Sequence, residues 1–193
     1  MDASKAVKTL AVRALLLLSV CASTGRAAPD FEAVVAGAGA DLKASFDARA
    51  GSAKAAPALL RYDEACILRA VAGKMGVTLR AEVPVPAVFL GSRTPLARFQ
   101  DAVEPQWNMR PEAFLNVYVL KNNEIYLNDD AALYGMHGRA LDDSLAHEFA
   151  HYIQVRYQGA DFARDDGDAL ESGAVAVQFW FRENYIARPG TCS

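Results

Sequence analysis

At 193 residues, with 52% hydrophobic and 22% charged residues and a formal net charge of −3, the chain has the makeup of one ordinary globular domain. It contains no internal repeat, no low-complexity tract and no block of like charge, so nothing in its composition points to a repeat scaffold or a charged tail.

The amino-terminal segment differs from the rest. Lys5, Lys8 and Arg13 precede the apolar run 14–22, and Gly25-Arg26-Ala27-Ala28-Pro29 follows. This is the pattern of a secretory signal peptide, with a charged region, a short apolar core and small residues at a cleavage point after Ala27. The run is too short to span a bilayer. Leu18-Ser19-Val20-Cys21 also faintly resembles a lipobox in which Cys21 would carry a lipid, although Val20 is atypical there. Residues 1–27 are therefore read as a signal peptide and 28–193 as a single exported domain, periplasmic or secreted. Cleavage removes four basic residues and one acidic residue, leaving 16 against 22 and a net charge of −6. That balance argues against nucleic acid or anionic membrane as a partner. It also leaves two cysteines, Cys66 and Cys192, an even pair that predicts one disulfide in an oxidising compartment.

The predicted elements of the exported part begin with a helix from Phe31 to about Phe46, weakened by Gly37 and Gly39, and a small-residue linker over 51–57. A clearer helix covers Ala58 to about Lys74 and stops at Gly76. Strands are expected at Val77–Val83 and Pro86–Leu90, with Pro84 and Pro86 marking an edge or a bulge. A short helix follows from Pro95 to about Val103. The stretches 113–119 and 124–127 flank Lys121-Asn122-Asn123, the pattern of a β-hairpin. The last third is helical. Asp142 or Asp143 can cap a helix reaching about Tyr157 and ended by Gly159, and the acidic run 165–168 can cap another reaching about Tyr185. Helices, then a small and mostly antiparallel sheet, then two helices make an α+β pattern.

The first of those two helices carries Ala146-His147-Glu148-Phe149-Ala150-His151-Tyr152-Ile153, a His-Glu-x-x-His motif. Histidines four apart stand one turn above each other, so both imidazoles can reach one ion. Glu148 lies about 100° round from His147, beside such an ion and placed to take a proton from zinc-bound water. An amphipathic helix with two surface histidines is the plainer reading, and Leu141, Leu145, Phe149 and Ile153 do form an apolar stripe. The histidines project from the other side of that stripe, which gives one helix a core face and a metal face.

A catalytic zinc has three protein ligands and an open position. Six residues beyond His151, where metzincins carry a third histidine, stands Tyr157, and the metzincin glycine position is Gln154. Glu171 lies 20 residues after His151, in Leu170-Glu171-Ser172-Gly173-Ala174. This resembles the Glu-x-x-Ala signature of the gluzincin peptidases, and over residues 113–185 the chain resembles a compact minigluzincin core without the long carboxy-terminal domain of that clan. The resemblance implies a zincin-like fold in which His147, His151 and Glu171 hold one Zn²⁺ per chain, Glu148 acts as base, and a peptide or protein is the substrate. Small residues at 173 and 174 would let the second helix approach the first. Asp168, with Asp161, Asp165 and Asp166, offers competing ligands. His137, Tyr157, Arg182 and Tyr185 are candidates for contacts to substrate or transition state, whereas Trp107 and Trp180 read as packing. The strand 124–128 resembles the edge strand along which zincins align a peptide, although an ordinary sheet strand fits as well. A non-catalytic zinc-binding module and a proenzyme with residues 29–56 removable remain open as other readings.

Overall fold

A computed structural model describes residues 56–188, all within one unit; residues 136 and 137 are described there by their backbone alone. The expected signal peptide, Cys21, the helix at 31–46 and Cys192 lie outside the described residues.

The chain enters in extended form, with Ala58 N donating to Asp129 O at 2.7 Å. Helix α1 (Glu64–Lys74) starts only when Asp63 accepts from the Cys66 amide at 2.7 Å. The capping carboxylate thus sets a later start than the apolar residues at 59 and 60 suggest. Residues 77–83, expected as a strand, form none, and Val83 N bonds to Arg80 O within a turn. Among the described residues no strand pairs with them, and Pro84 and Pro86 have no amide hydrogens to donate.

Strand β1 (Ala87–Leu90) follows, then helix α2 (Leu96–Trp107), which runs past the expected end and stops at Asn108 in the left-handed conformation, φ 52°. Strands β2 (Val117–Val119) and β3 (Glu124–Leu127) form the expected hairpin. The sheet is mixed, not mostly antiparallel: its order is β1-β3-β2, with β1 parallel to β3 and β2 antiparallel to it. β3 is therefore the central strand, and its residues cannot be the edge that the sequence suggested. The physical reason is the crossover. A parallel neighbour requires a long connection, and residues 91–116, including α2, return the chain so that β3 inserts between β1 and β2.

Helix α3 (Ala131–His137), capped by Asp130 and closed by Gly138 at φ 58°, was not anticipated; at 7 residues it is too short to show a period. Helix α4 (Leu141–Arg156) carries the His-Glu-x-x-His motif. Ala140 occupies its cap position, and Asp143 reaches back to accept from Ala140 N at 3.2 Å. Asp142 instead accepts from the Arg61 and Tyr62 amides at 2.8 and 3.0 Å, pinning the entering chain to the helix start. Helix α5 (Gly167–Phe181) is capped by Asp166 and continues as one π-helical turn over Arg182–Ile186.

Helix α4 is central among the described residues. Leu145, Phe149 and Ile153 have no exposed surface, and the helix lies among the sheet, α1 and α5. Burying a side chain such as Phe149 contributes about 2–3 kcal/mol. A second, smaller cluster joins Phe99 and Val103 of α2 to Val117, Val119 and Tyr126. The architecture is α+β, with five α-helices and a three-stranded mixed sheet among the described residues. No helix among them is long and apolar enough to cross a membrane.

Candidate metal centre

Helices α4 and α5 pack along a seam of small residues. Ala174 is fully buried, and a Cβ added at Gly173 would stand 3.1 Å from Gln154 Nε2, so the glycine makes room for that amide. The close approach brings Glu171 over the paired histidines. His147 Nε2 and His151 Nε2 are 3.1 Å apart, and the Glu171 carboxylate lies 3.1 Å from the first and 3.2 Å from the second. One ligand atom from each residue falls within a span of 4.8 Å. Tetrahedral coordination at 2.0–2.1 Å places ligand atoms roughly 3.3 Å apart, so the observed spacing suits a single ion, and the group can hold one. Exposure rises from His151 to His147 to Glu171, with side chains 9%, 14% and 32% exposed, so the site opens on its glutamate side.

Gln154 fixes the chemistry of His151. Its Nε2 donates to Leu170 O at 2.8 Å, and a carbonyl can only accept. Its Oε1 must then face His151 Nδ1, at 2.9 Å, and receive that proton. In the neutral ring the lone pair is consequently on Nε2, the atom directed at Glu171 and His147. The same amide ties the two ligand-bearing helices together beside Glu171. Phe162 closes the other side, its ring edge-on to His151 at 5.3 Å. Among the described residues, His147 Nδ1 is buried without a hydrogen-bond partner.

Charge in the site is interdependent. Burial opposes ionisation of Glu171, but hydrogen bonds and attraction from both histidines outweigh it and hold the carboxyl far below its usual range. Burial likewise opposes charge on His151, yet Glu171 and Glu148 raise its pKa. Glu148 is 4% exposed and its pKa is raised, mainly by burial and further by Glu171; the histidines and a hydrogen bond from the Tyr118 backbone pull the other way. A raised carboxyl pKa suits a group that must both take and return a proton near neutrality.

The remaining sequence candidates are distributed differently. Arg182 donates to Asp143 at 2.6 Å, and Gln178 donates to the same fully buried carboxylate at 3.0 Å. Arg182 thereby fastens α5 to α4 one turn before His147, with its charge already neutralised. Tyr157 accepts from Arg80 N and packs on Tyr152, and Tyr185 stacks on Phe181 at 4.6 Å and against Tyr62. The backbone of His137 ends α3, and its side chain lies outside the described residues. Asp161 and Asp165 are occupied in a turn around Arg164, Asp166 caps α5, and Asp168 is exposed in its first turn; none belongs to the triad. Trp107 packs on Phe99, and Trp180 packs on Phe181 and Tyr185. Cys66 is buried and disulfide-bonded, and its expected partner Cys192 lies outside the described residues. Gln154 is the functional neighbour that the sequence reading missed, although its position three residues after His151 placed it on the same helical face.

The chain matches no family model, no curated protein and no solved structure.

Proposed function

We propose that the chain is a zinc-dependent metallopeptidase of the gluzincin kind, exported after loss of residues 1–27. The observation that carries this reading is the convergence of His147, His151 and Glu171 on one point, with the buried carboxylate of Glu148 beside them. Two imidazoles and one carboxylate form a donor set suited to zinc, one ion per chain, with the fourth position left for water. An ion there supplies Lewis acidity, acidifying water and polarising a carbonyl.

The protein's own groups do the rest. Gln154 holds His151 in the tautomer that presents Nε2. Asp143 and Arg182 keep α4 and α5 in register, so that Glu171 stays over the histidines. Glu148 takes the proton of the attacking water and returns it to the leaving amine. The nearby outer edge of β2, whose Tyr118 backbone faces Glu148, is the place for a peptide to align, in the role first assigned to β3.

The test is Glu148→Gln, which keeps size and hydrogen bonding and removes the base. Zinc content and folding should match wild type, while peptide hydrolysis falls about 10²–10⁴-fold. Equal cleavage by both proteins would refute the mechanism.

One observation favours a second reading, a degenerate zincin that binds without cleaving. Arg182 is paired with Asp143, and Tyr157 and Tyr185 are engaged elsewhere, so among the side chains described no donor is assigned to a developing oxyanion. A folded, zinc-loaded wild type that cleaves nothing across a broad peptide library would support that reading.

A further inference from the structure

The outward-facing groups of β2 follow from the hydrogen bonding of β3. Ala87 N donates to Asn123 O and Gly91 N to Leu127 O, so the odd-numbered residues of this segment direct their backbone toward β1. Glu124 and Tyr126 therefore bond to their β2 partners Val119 and Val117. By the same alternation, the N–H and C=O of Tyr118 and the N–H of Leu120 point away from β3, along the edge that no described strand pairs with. An incoming peptide would need these groups. They are already engaged. The Gln106 side chain, reaching round from the last turn of α2, donates from Nε2 to Tyr118 O at 3.3 Å and accepts from Leu120 N at 3.0 Å. Its carboxamide has the donor and acceptor of a peptide unit and occupies the place where one would add. Arg156 reinforces the stop by donating to Leu120 O at 3.0 Å and to Tyr118 Oη at 3.0 Å. On the other side of this block, the Tyr118 N–H faces Glu148.

We propose that Gln106 is a specificity-determining residue: its carboxamide ends the substrate-binding edge of β2 beside Glu148 and restricts the site to peptides with a short amino-terminal side. This rests on the reading of the chain as a peptidase. The direction follows from strand pairing. Antiparallel addition to an edge is the more stable mode, and it lays the amino-terminal part of a peptide along the carboxy-terminal end of β2, which Gln106 and Arg156 close. Residues on the far side of the scissile bond run past Asn116, where neither of these side chains stands. The substrate class is therefore peptide amino-terminal ends, from which short pieces are released, and not the interior of a long extended chain.

Peptides ending in a hydroxamate test this, because the hydroxamate seeks the metal and every residue then lies on the amino-terminal side. Leucine hydroxamate and Ala-Ala-Ala-leucine hydroxamate are titrated calorimetrically into the zinc-loaded chain, as wild type, Gln106→Ala and Gln106→Glu. Zinc content serves as the folding control, since Gln106 is not a ligand. Wild type should bind the longer probe no more tightly than the shorter. Gln106→Ala should bind the longer about tenfold more tightly than the shorter, a gain expected of two recovered backbone hydrogen bonds. Gln106→Glu, whose carboxylate is repelled by the Tyr118 carbonyl, should shift in the same direction. Tighter binding of the longer probe by wild type, or no dependence on length in either variant, overturns the proposal and leaves the peptidase reading standing. If zinc loads but the wild type binds neither probe and cleaves no peptide, the peptidase reading falls and this proposal with it.

Discussion

Replacing Gln154 by leucine isolates what the helix-bridging amide does. Gln154 is 5% exposed and makes two hydrogen bonds, at 2.9 Å with His151 Nδ1 and at 2.8 Å with Leu170 O. Leucine has nearly the same bulk and can make neither. The two lost bonds, at about 0.5–1.5 kcal/mol each, predict a stability loss of about 1–3 kcal/mol in metal-free protein. The metal effect is separate. With no acceptor at Nδ1, the neutral His151 ring can carry its proton on Nε2, the atom the ion needs. Partners of this kind are worth about 10–100-fold in metal affinity, or about 1.4–2.8 kcal/mol. The assay is a competition titration against a chromophoric zinc chelator at pH 7.5, with denaturant unfolding of both proteins. Gln154→Glu is the companion variant. It keeps the acceptor for His151 while losing the donor to Leu170, so it should retain more zinc affinity than leucine even where stability falls. Wild-type zinc affinity in a folded Gln154→Leu protein would refute the tautomer argument. Loss of affinity by both variants in proportion to lost stability would reduce Gln154 to a packing residue.

Further outcomes follow from the same geometry. The His147→Ala/His151→Ala double variant should lose zinc on metal analysis, and Glu171→Ala should weaken binding sharply; undiminished zinc would place the ion elsewhere. In metal-free protein the raised pKa of His151 contributes stability that is complete below about pH 6.5 and is lost as pH rises through the raised value, whereas the lowered pKa of Glu171 contributes above about pH 4.5 and is lost as pH falls through its depressed value. The pair therefore helps most between those limits. Zinc competes with the His151 proton, so the stabilisation added by zinc should grow from pH 5.5 to pH 8 in denaturant melts, and a flat difference would contradict the assignment. Mass spectrometry of non-reduced digests should recover Cys66 joined to Cys192, and two alkylatable thiols in protein from an oxidising compartment would exclude that bond.

What the sequence by itself determined is local to single elements. His147 and His151 at i and i+4, Glu148 between them, and the stripe from Leu141 to Ile153 follow from helix geometry once the helix forms. Asp166 as a cap and Gly159 as a stop are equally local, and so is the hairpin turn, where Asn123 takes φ 53°. Glu171 was legible because its spacing in sequence matches a known pattern, but only the packing of α5 on α4 at Gly173 and Ala174 brings its carboxylate to 3.1 Å from His147. The central position of β3, the pairing of Asp143 with Arg182 and the reach of Gln106 across the edge of β2 were decided by the tertiary structure alone. Each joins residues from separate elements, and helix and strand periodicities state which face a residue occupies without stating what will be packed against it. The same holds for Tyr157 and Arg182. That Tyr157 packs on Tyr152 beside Arg80, and that Arg182 pairs with Asp143, follows only from elements the fold brings together.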